Sequence, residues 1–244
     1  MAAIAIYSLK GGVGKTTLTV NLAFASAMQS ARRTLLWDLD PQAASSWILG
    51  DEKPGKEDAQ AVFAKDIAPE RLVRRTAIER LSLLPADVSL RGLDRFFFDL
   101  GKRKRLARLI EVLGKDYDRI LLDCPPGLTE TSDQVMRAAE VIVVPLIPSP
   151  LARRAMEEVA SHLSREHGKH APILPVFTMV DRRRALHRAA LEEHPDWPVI
   201  PMASAIEAMA VHHAPVGAFA PQSPGAQAFA ALWTGIERRL AKAR

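Results

Sequence analysis

The chain has one cysteine, Cys124, among 244 residues. No intrachain disulfide can form, and such sparing use fits a reducing cytoplasm. No apolar run approaches the ~20 residues that a membrane-spanning helix needs. The first residues run straight into strand-like sequence without the regions of a signal peptide, so a cytoplasmic location is expected. There is no internal repeat, no low-complexity tract and no dividing linker. One domain over residues 1–244 is expected. The histidines do not suggest a metal site. His162, His167 and His170 are spaced so that they do not share a helix face, and His212 and His213 point apart in a helix.

What is present reads as globular. Hydrophobic residues make up 48% and charged residues 25%. The length suffices for one sizeable α/β domain with a substantial core. Lysine and arginine number 33 against 28 aspartates and glutamates, a net charge of +5. That balance suits a polyanionic partner such as nucleic acid or anionic lipid.

Short runs rich in Val, Ile and Leu recur: Ala3–Tyr7, Thr34–Trp37, Leu81–Leu84, Ile120–Leu122, Val141–Leu146, Val176–Val180 and Val199–Ile200. Runs this short suit strands buried on both faces. Helical stretches lie between them, at Leu18–Met28, Lys104–Leu113, Leu151–Arg165 and Gly225–Ala241. The alternation predicts an α/β fold, a mostly parallel central sheet with helices on both faces. In such sheets ligands bind at the carboxyl ends of the strands. Residues 50–70 are the least regular stretch, and Asp51-Glu52-Lys53-Pro54-Gly55 signals a turn or loop.

After the first strand comes Lys10-Gly11-Gly12-Val13-Gly14-Lys15-Thr16-Thr17. A Gly-rich turn between strand and helix makes a phosphate cradle, with backbone N–H groups and the helix N-terminus facing the anion. Lys15 reaches the β/γ-phosphates in such a loop, and the Thr16 hydroxyl binds Mg²⁺. The common pattern requires Gly where Leu9 stands. The variant Lys-Gly-Gly-x-Gly-Lys-Thr fits throughout, and it resembles the deviant Walker A motif of the ParA/MinD family of ATPases. Two apolar strands then end in carboxylates: Leu35-Leu36-Trp37-Asp38-Leu39-Asp40-Pro41-Gln42 and Ile120-Leu121-Leu122-Asp123-Cys124-Pro125-Pro126. Period-2 alternation puts Asp38 and Asp40 on one face, and Mg²⁺ favours such oxygens beside substrate phosphates. These segments resemble the family's second nucleotide motif and its Walker B strand. Val199-Ile200-Pro201 and Ser223–Ala228 resemble its C-terminal region.

The resemblance implies a deviant Walker A P-loop fold with ATP and Mg²⁺ as ligands. It assigns the phosphates to Gly11, Gly12, Val13, Gly14, Lys15, Thr16 and Thr17. Pro201 and Met202 fall beside adenine. Thr16 ligates the metal directly, Asp123 acts through bound water, and Asp38 supports the metal shell. Asp40 positions the attacking water. Lys10 is the signature lysine, crossing to the partner's nucleotide in an ATP-bound homodimer. Starting at its first strand, the chain is similar to the small ParA proteins without an N-terminal helix-turn-helix domain.

Within the family, a single cysteine does not fit the iron–sulfur and zinc-linked members, and two tyrosines do not fit the tyrosine-kinase relatives. The stretch Ile236–Arg244 lacks the bulky apolar face of a MinD-type membrane helix. Asp-Pro-Gln favours the ParA branch over a MinD-like membrane-surface ATPase, which is the alternative. A ParA-like protein binds DNA non-specifically and associates with the nucleoid. A ParB-like or cargo-adaptor protein stimulates its slow hydrolysis, and its cargo is a plasmid, a chromosome or a protein assembly. Arg182, Arg183 and Arg184 are the DNA candidates, Arg183 falling nearest the family's position. The family's second arginine is replaced by Met202-Ala203-Ser204-Ala205, so the duty can rest with Arg153, Arg154, Arg238, Arg239 or Lys242. The run Lys102-Arg103-Lys104-Arg105 opposes the helix dipole and brings no local stability. It is open to a partner contact or to a solvated face. Cys124 is expected as a small buried residue behind the loop, and Trp37 as core.

Overall fold

The computed structural model describes residues 1–50, 59–100, 104–167 and 170–242. Eight strands form one sheet in the order β3-β4-β2-β5-β1-β6-β7-β8. They are β1 (Ala2–Ile6), β2 (Thr34–Asp38), β3 (Arg74–Arg75), β4 (Leu81–Leu84), β5 (Arg119–Asp123), β6 (Val141–Leu146), β7 (Ile173–Val180) and β8 (Val199–Pro201). Every pairing is parallel except β3 with β4. The expected mostly parallel sheet is therefore present. Every residue of β1, β2, β5 and β6 is buried, which is why these strands read as continuous apolar runs rather than alternating ones.

Helices connect the strands: α1 (Lys15–Gln29), α2 (Ala44–Ile48), α3 (Ala59–Ala64), α4 (Leu93–Leu100), α5 (Arg105–Leu113), α6 (Glu130–Ala138), α7 (Pro150–His167) and α8 (Ala185–Glu193). After β8 come α9 (Ser204–Glu207), α10 (Met209–His212), α11 (Val216–Phe219) and α12 (Pro224–Lys242). Strand alternation divides the core in two. Ala3, Ala5 and Tyr7 face one layer with Leu106, Leu113, Val135 and Val159 of α5–α7. Ile4 and Ile6 face the other, with Leu18 and Leu22 of α1 and Phe229, Trp233 and Ile236 of α12. Trp37 is core, stacked on Phe63 at 5.6 Å between ring centroids. The last helix is also tied by charge. Arg119 donates from Nε and Nη2 to the two Glu237 oxygens, each at 2.8 Å.

The structure departs from the sequence reading in four places. α1 begins at Lys15, so the end of the phosphate loop is already helix. β7 begins at Ile173, upstream of Pro175, which a Val-rich run starting at Val176 leaves out. The pair Arg74–Arg75 forms the antiparallel edge strand. Two arginines carry no apolar period, and a very short charged edge discourages pairing with another chain. The fourth departure is at Arg105. Lys102 and Arg103 lie outside the described residues, and Lys104 is exposed. Arg105 is buried, donating from Nε to the Phe63 carbonyl at 2.7 Å and from Nη2 to the Val62 carbonyl at 3.2 Å. It satisfies carbonyls in the last turn of α3, where a cation also complements the helix dipole. This arginine does bring local stability, through a helix remote in sequence. The turn signal at 51–55 also lies outside the described residues, and α3 occupies part of the irregular stretch that follows.

Candidate active site

β1, β5 and β2 lie side by side near the middle of the sheet, and their carboxyl ends are in register. Ile6 pairs with Asp123, and Asp123 pairs with Asp38. Residues paired across parallel strands share a face, so both buried aspartates stand next to the loop that leaves β1. That loop carries Gly12 and Gly14 at φ of +72° and +87°, a region closed to most side chains. A Cβ on Gly11 or Gly12 would meet nothing within 4 Å, so these backbone groups look into open space. Gly14 precedes α1, whose first turn has neither a capping side chain nor an acidic residue. The N–H groups of that turn are left for a ligand, and the helix dipole favours an anion there.

The two loop lysines differ sharply. Lys15 is buried, and its Nζ donates to the Lys10 carbonyl at 3.2 Å. Burial lowers its pKa, while Asp123 and Asp40 pull the other way. Lys10 has an exposed side chain. Thr16 and Thr17 are half-buried in the first turn of α1. The loop is held from the far side by β7, where Thr178 Oγ1 donates to the Val13 carbonyl at 2.8 Å.

Asp123 is the focus of hydroxyl donors. Ser45 Oγ donates to its Oδ2 at 2.5 Å, and Thr19 Oγ1 lies 3.2 Å from its Oδ1. The Thr16 hydroxyl stands near enough to help hold this carboxylate in its charged form. The structure therefore brings together Thr16 and Asp123, the two principal metal candidates. Asp40 is half-buried, and its Oδ1 accepts from the Gln42 N–H at 2.9 Å. Its charge reaches both Lys15 and Asp123.

Asp38 is placed differently from the expectation of a shared face with Asp40. It ends β2 and is fully buried, while Asp40 stands in the turn beyond. Asp38 Oδ2 accepts from the Ser46 N–H at 3.0 Å and the Ser46 hydroxyl at 2.8 Å. Asp38 Oδ1 accepts from the Asp40 N–H at 3.1 Å. Both oxygens thus bond within the protein, fixing α2 and the Asp40 turn. Burial pushes the Asp38 carboxyl above the ordinary carboxylate range, and the Asp123 charge adds to that. Burial raises Asp123 as well, opposed by the Ser45 and Thr16 hydroxyls.

This chemistry suits Mg²⁺, which takes one or two carboxylates and completes its shell with water and phosphate oxygens. Among the described residues no group of three or more His, Cys, Asp or Glu could hold an ion alone. Cys124 is buried directly after Asp123, and burial pushes its thiol well up, away from reactivity.

Beside the loop lies an apolar cavity of about 250 Å³. Gly14, Thr17 and Leu18 form its inner side, and Ile48, Ile200, Pro201, Met202 and Phe229 line the rest. Pro201 and Met202, expected beside adenine, thus line a cavity that adjoins the loop. Sequence reasoning missed Thr178 and Met179 of β7, which also line it. Met179 has φ +54° at an irregularity between the Phe177 and Val180 pairings. No sequence signal announces such a bulge, which re-aims a side chain next to a site. Ser45 and Thr19 were missed too; hydroxyls near an aspartate motif were the available hint.

Arg182, Arg183 and Arg184 follow β7 and are all exposed. Arg183 is bound within the loop. Its N–H, Nε and Nη2 donate to the Asp181 carboxylate at 3.0, 2.9 and 3.0 Å, which holds Asp181 down at about 2. Arg188 Nη1 donates to the Arg182 and Arg183 carbonyls, at 3.0 and 2.8 Å.

Known proteins resemble this chain in sequence and fold. Residues 1–173 match the AAA domain family AAA_31. The chain is 32% identical over 191 residues to the chromosome partitioning protein ParA of Caulobacter vibrioides (strain NA1000 / CB15N), covering 75% of this chain and 71% of that one. The chain belongs to the ParA/MinD family of P-loop ATPases. It is 29% identical over 242 residues to the sporulation initiation inhibitor protein Soj of Bacillus subtilis (strain 168), covering 93% and 94%. The septum site-determining protein MinD from Pyrococcus horikoshii OT3, complexed with Mg-ADP, has the same fold. That likeness has a TM-score of 0.81 at 27% identity and covers 98% of this chain and 97% of that one. This ParA/MinD-family chain is accordingly a partitioning or positioning ATPase in broad class.

Proposed function

We propose that this ATPase is a nucleotide-driven dimerisation switch. It binds ATP with Mg²⁺, pairs with a second copy across the nucleotide, holds DNA without sequence preference in that state, and releases it after hydrolysis. A partner protein speeds the slow hydrolysis, and the cargo is a plasmid, a chromosome or a protein assembly. The observation that carries the reading is the contrast between buried Lys15 and exposed Lys10 in one loop. A phosphate loop uses one lysine on its own nucleotide. The second is exposed to solvent and can meet the phosphates of another protomer.

The residues act as follows. The open amides of Gly11–Thr17 and the first turn of α1 bind the phosphates, and Lys15 balances their charge. Thr16, and Asp123 through water, would hold Mg²⁺, which supplies Lewis-acid neutralisation of the phosphate oxygens. Asp40 orients the attacking water. Lys10 of the opposite copy neutralises charge developing on the transferred phosphoryl group. Pro201 and Met202 cover the base. Without nucleotide the two Lys10 side chains would face each other unpaired, so dimerisation depends on ATP.

For DNA, Arg182 and Arg184 are the stronger candidates, because Asp181 already occupies Arg183. The membrane-surface alternative needs a free apolar helix face. In α12 that face, with Leu232, Trp233, Ile236 and Leu240, is buried. No helix among the described residues is long and apolar enough to cross a membrane.

The test uses Asp40→Ala, which should bind ATP without hydrolysing it and sediment as a dimer. With ATP it should bind duplex DNA, steeply weakened by salt, and ignore anionic liposomes. A monomer that binds liposomes and not DNA overturns the reading.

A further inference from the structure

α2 is only five residues long, yet four consecutive residues touch four parts of the site. Ser45 reaches Asp123, Ser46 reaches Asp38, Trp47 packs against His213 with ring centroids 4.3 Å apart and planes tilted by 59°, and Ile48 lines the apolar cavity. Its N-cap, Ala43, contributes no side-chain hydrogen bond. The helix is anchored instead by its own serines, bonded to two strand ends.

Of the hydroxyls around Asp123, Thr16 and Thr19 both belong to α1, the helix that continues the phosphate loop. Thr19 has one hydroxyl hydrogen for two acceptors, since its Oγ1 lies 3.0 Å from the Lys15 carbonyl and 3.2 Å from Asp123 Oδ1. Ser45 comes from a different element, makes the shortest of these contacts and is wholly buried, as is Asp123. Water cannot take its place. Without the Ser45 hydroxyl, Asp123 Oδ2 is a buried oxygen stripped of its donor, and the carboxylate loses its restraint from outside α1.

We propose that Ser45 is a positioning residue for the metal: its hydroxyl holds the Asp123 carboxylate facing Thr16 and so sets how tightly the ATP complex takes Mg²⁺. A carboxylate that holds a metal through bound water must itself be held in place, and outer partners do this through such hydrogen bonds. Ser46 fixes the same helix to Asp38 and, through its hydroxyl, to the Ala86 N–H at 3.0 Å. Ser45 is therefore referenced to the end of β2 and to the segment that follows β4, rather than to the phosphate loop.

The proposal rests on the ATP and Mg²⁺ reading, and one calorimetric experiment separates the two. ATP is titrated into the full chain in EDTA, and Mg²⁺ is then titrated into the ATP-saturated protein. The proteins are the wild type, Ser45→Ala and Ser45→Thr, with melting temperatures recorded for each. Ser45→Ala should bind ATP in EDTA as the wild type does. Its Mg²⁺ Kd should rise about tenfold, the scale of a lost orienting partner, and Ser45→Thr should restore it. Should Ser45→Ala fail to fold, Ser45→Cys keeps the volume with a weak donor, and the same rise is expected. An unchanged Mg²⁺ Kd overturns the proposal. So does an equal loss of ATP affinity with and without metal, the mark of a merely structural role. A wild type that binds no ATP, or takes up no Mg²⁺ with it, overturns the underlying reading instead.

Discussion

Lys15 Nζ lies 3.2 Å from the carbonyl oxygen of Lys10. The buried cation is held by the backbone of the exposed one. A single turn therefore fixes two charges with separate duties, and each is open to removal alone.

Lys15→Ala removes the buried charge. A charge-assisted hydrogen bond in a desolvated site is worth up to about 3 kcal/mol, so ATP should bind roughly 100-fold more weakly. The fold should survive, because the Nζ hydrogen bond goes to a loop carbonyl and holds no strand or helix in place. Calorimetry measures the loss; unchanged affinity would remove the phosphate cradle itself.

Lys10→Ala should leave ATP affinity of the monomer within about twofold, since the side chain is exposed and bonds through its main chain. What it should lose is the ATP-dependent dimer, and with it most hydrolysis. Sedimentation with Asp40→Ala as background gives the answer. A persisting dimer would place the trans contact elsewhere.

Asp38 lies above the ordinary carboxylate range because of burial first and the Asp123 charge second. Folding therefore favours its protonated form. That stability is complete below the unfolded carboxyl pKa of about 4 and is lost as pH rises through the raised value. Asp38→Asn is neutral at every pH. In EDTA it should match the wild type near pH 4 and melt several degrees higher near pH 8. Parallel melting curves across that range would refute the assignment.

Arg182→Ala with Arg184→Ala should weaken DNA binding and flatten its dependence on salt by about 0.9 per lost phosphate contact. Arg183→Ala should do less, since Asp181 already holds that guanidinium at 2.9 and 3.0 Å. Equal losses from all three would mean that DNA displaces Asp181.

Much of this protein was legible in the chain because the deciding forces are local. Strand, Gly-rich turn and helix follow one another within Ala2–Gln29, and continuous apolar runs announce strands covered on both faces. Carboxylates at strand ends likewise disclosed themselves, because parallel strands place their ends together. What only the tertiary structure decided is which charge meets which partner. Asp38 and Asp123 are neighbours through the β2–β5 register, and Ser45 reaches Asp123 across 78 positions. Arg105 belonged to a run open to a partner contact or to a solvated face, and α3 supplies it with two carbonyls instead. A buried or paired charge takes its role from whatever replaces water around it, and that replacement comes from segments that the local sequence does not contain.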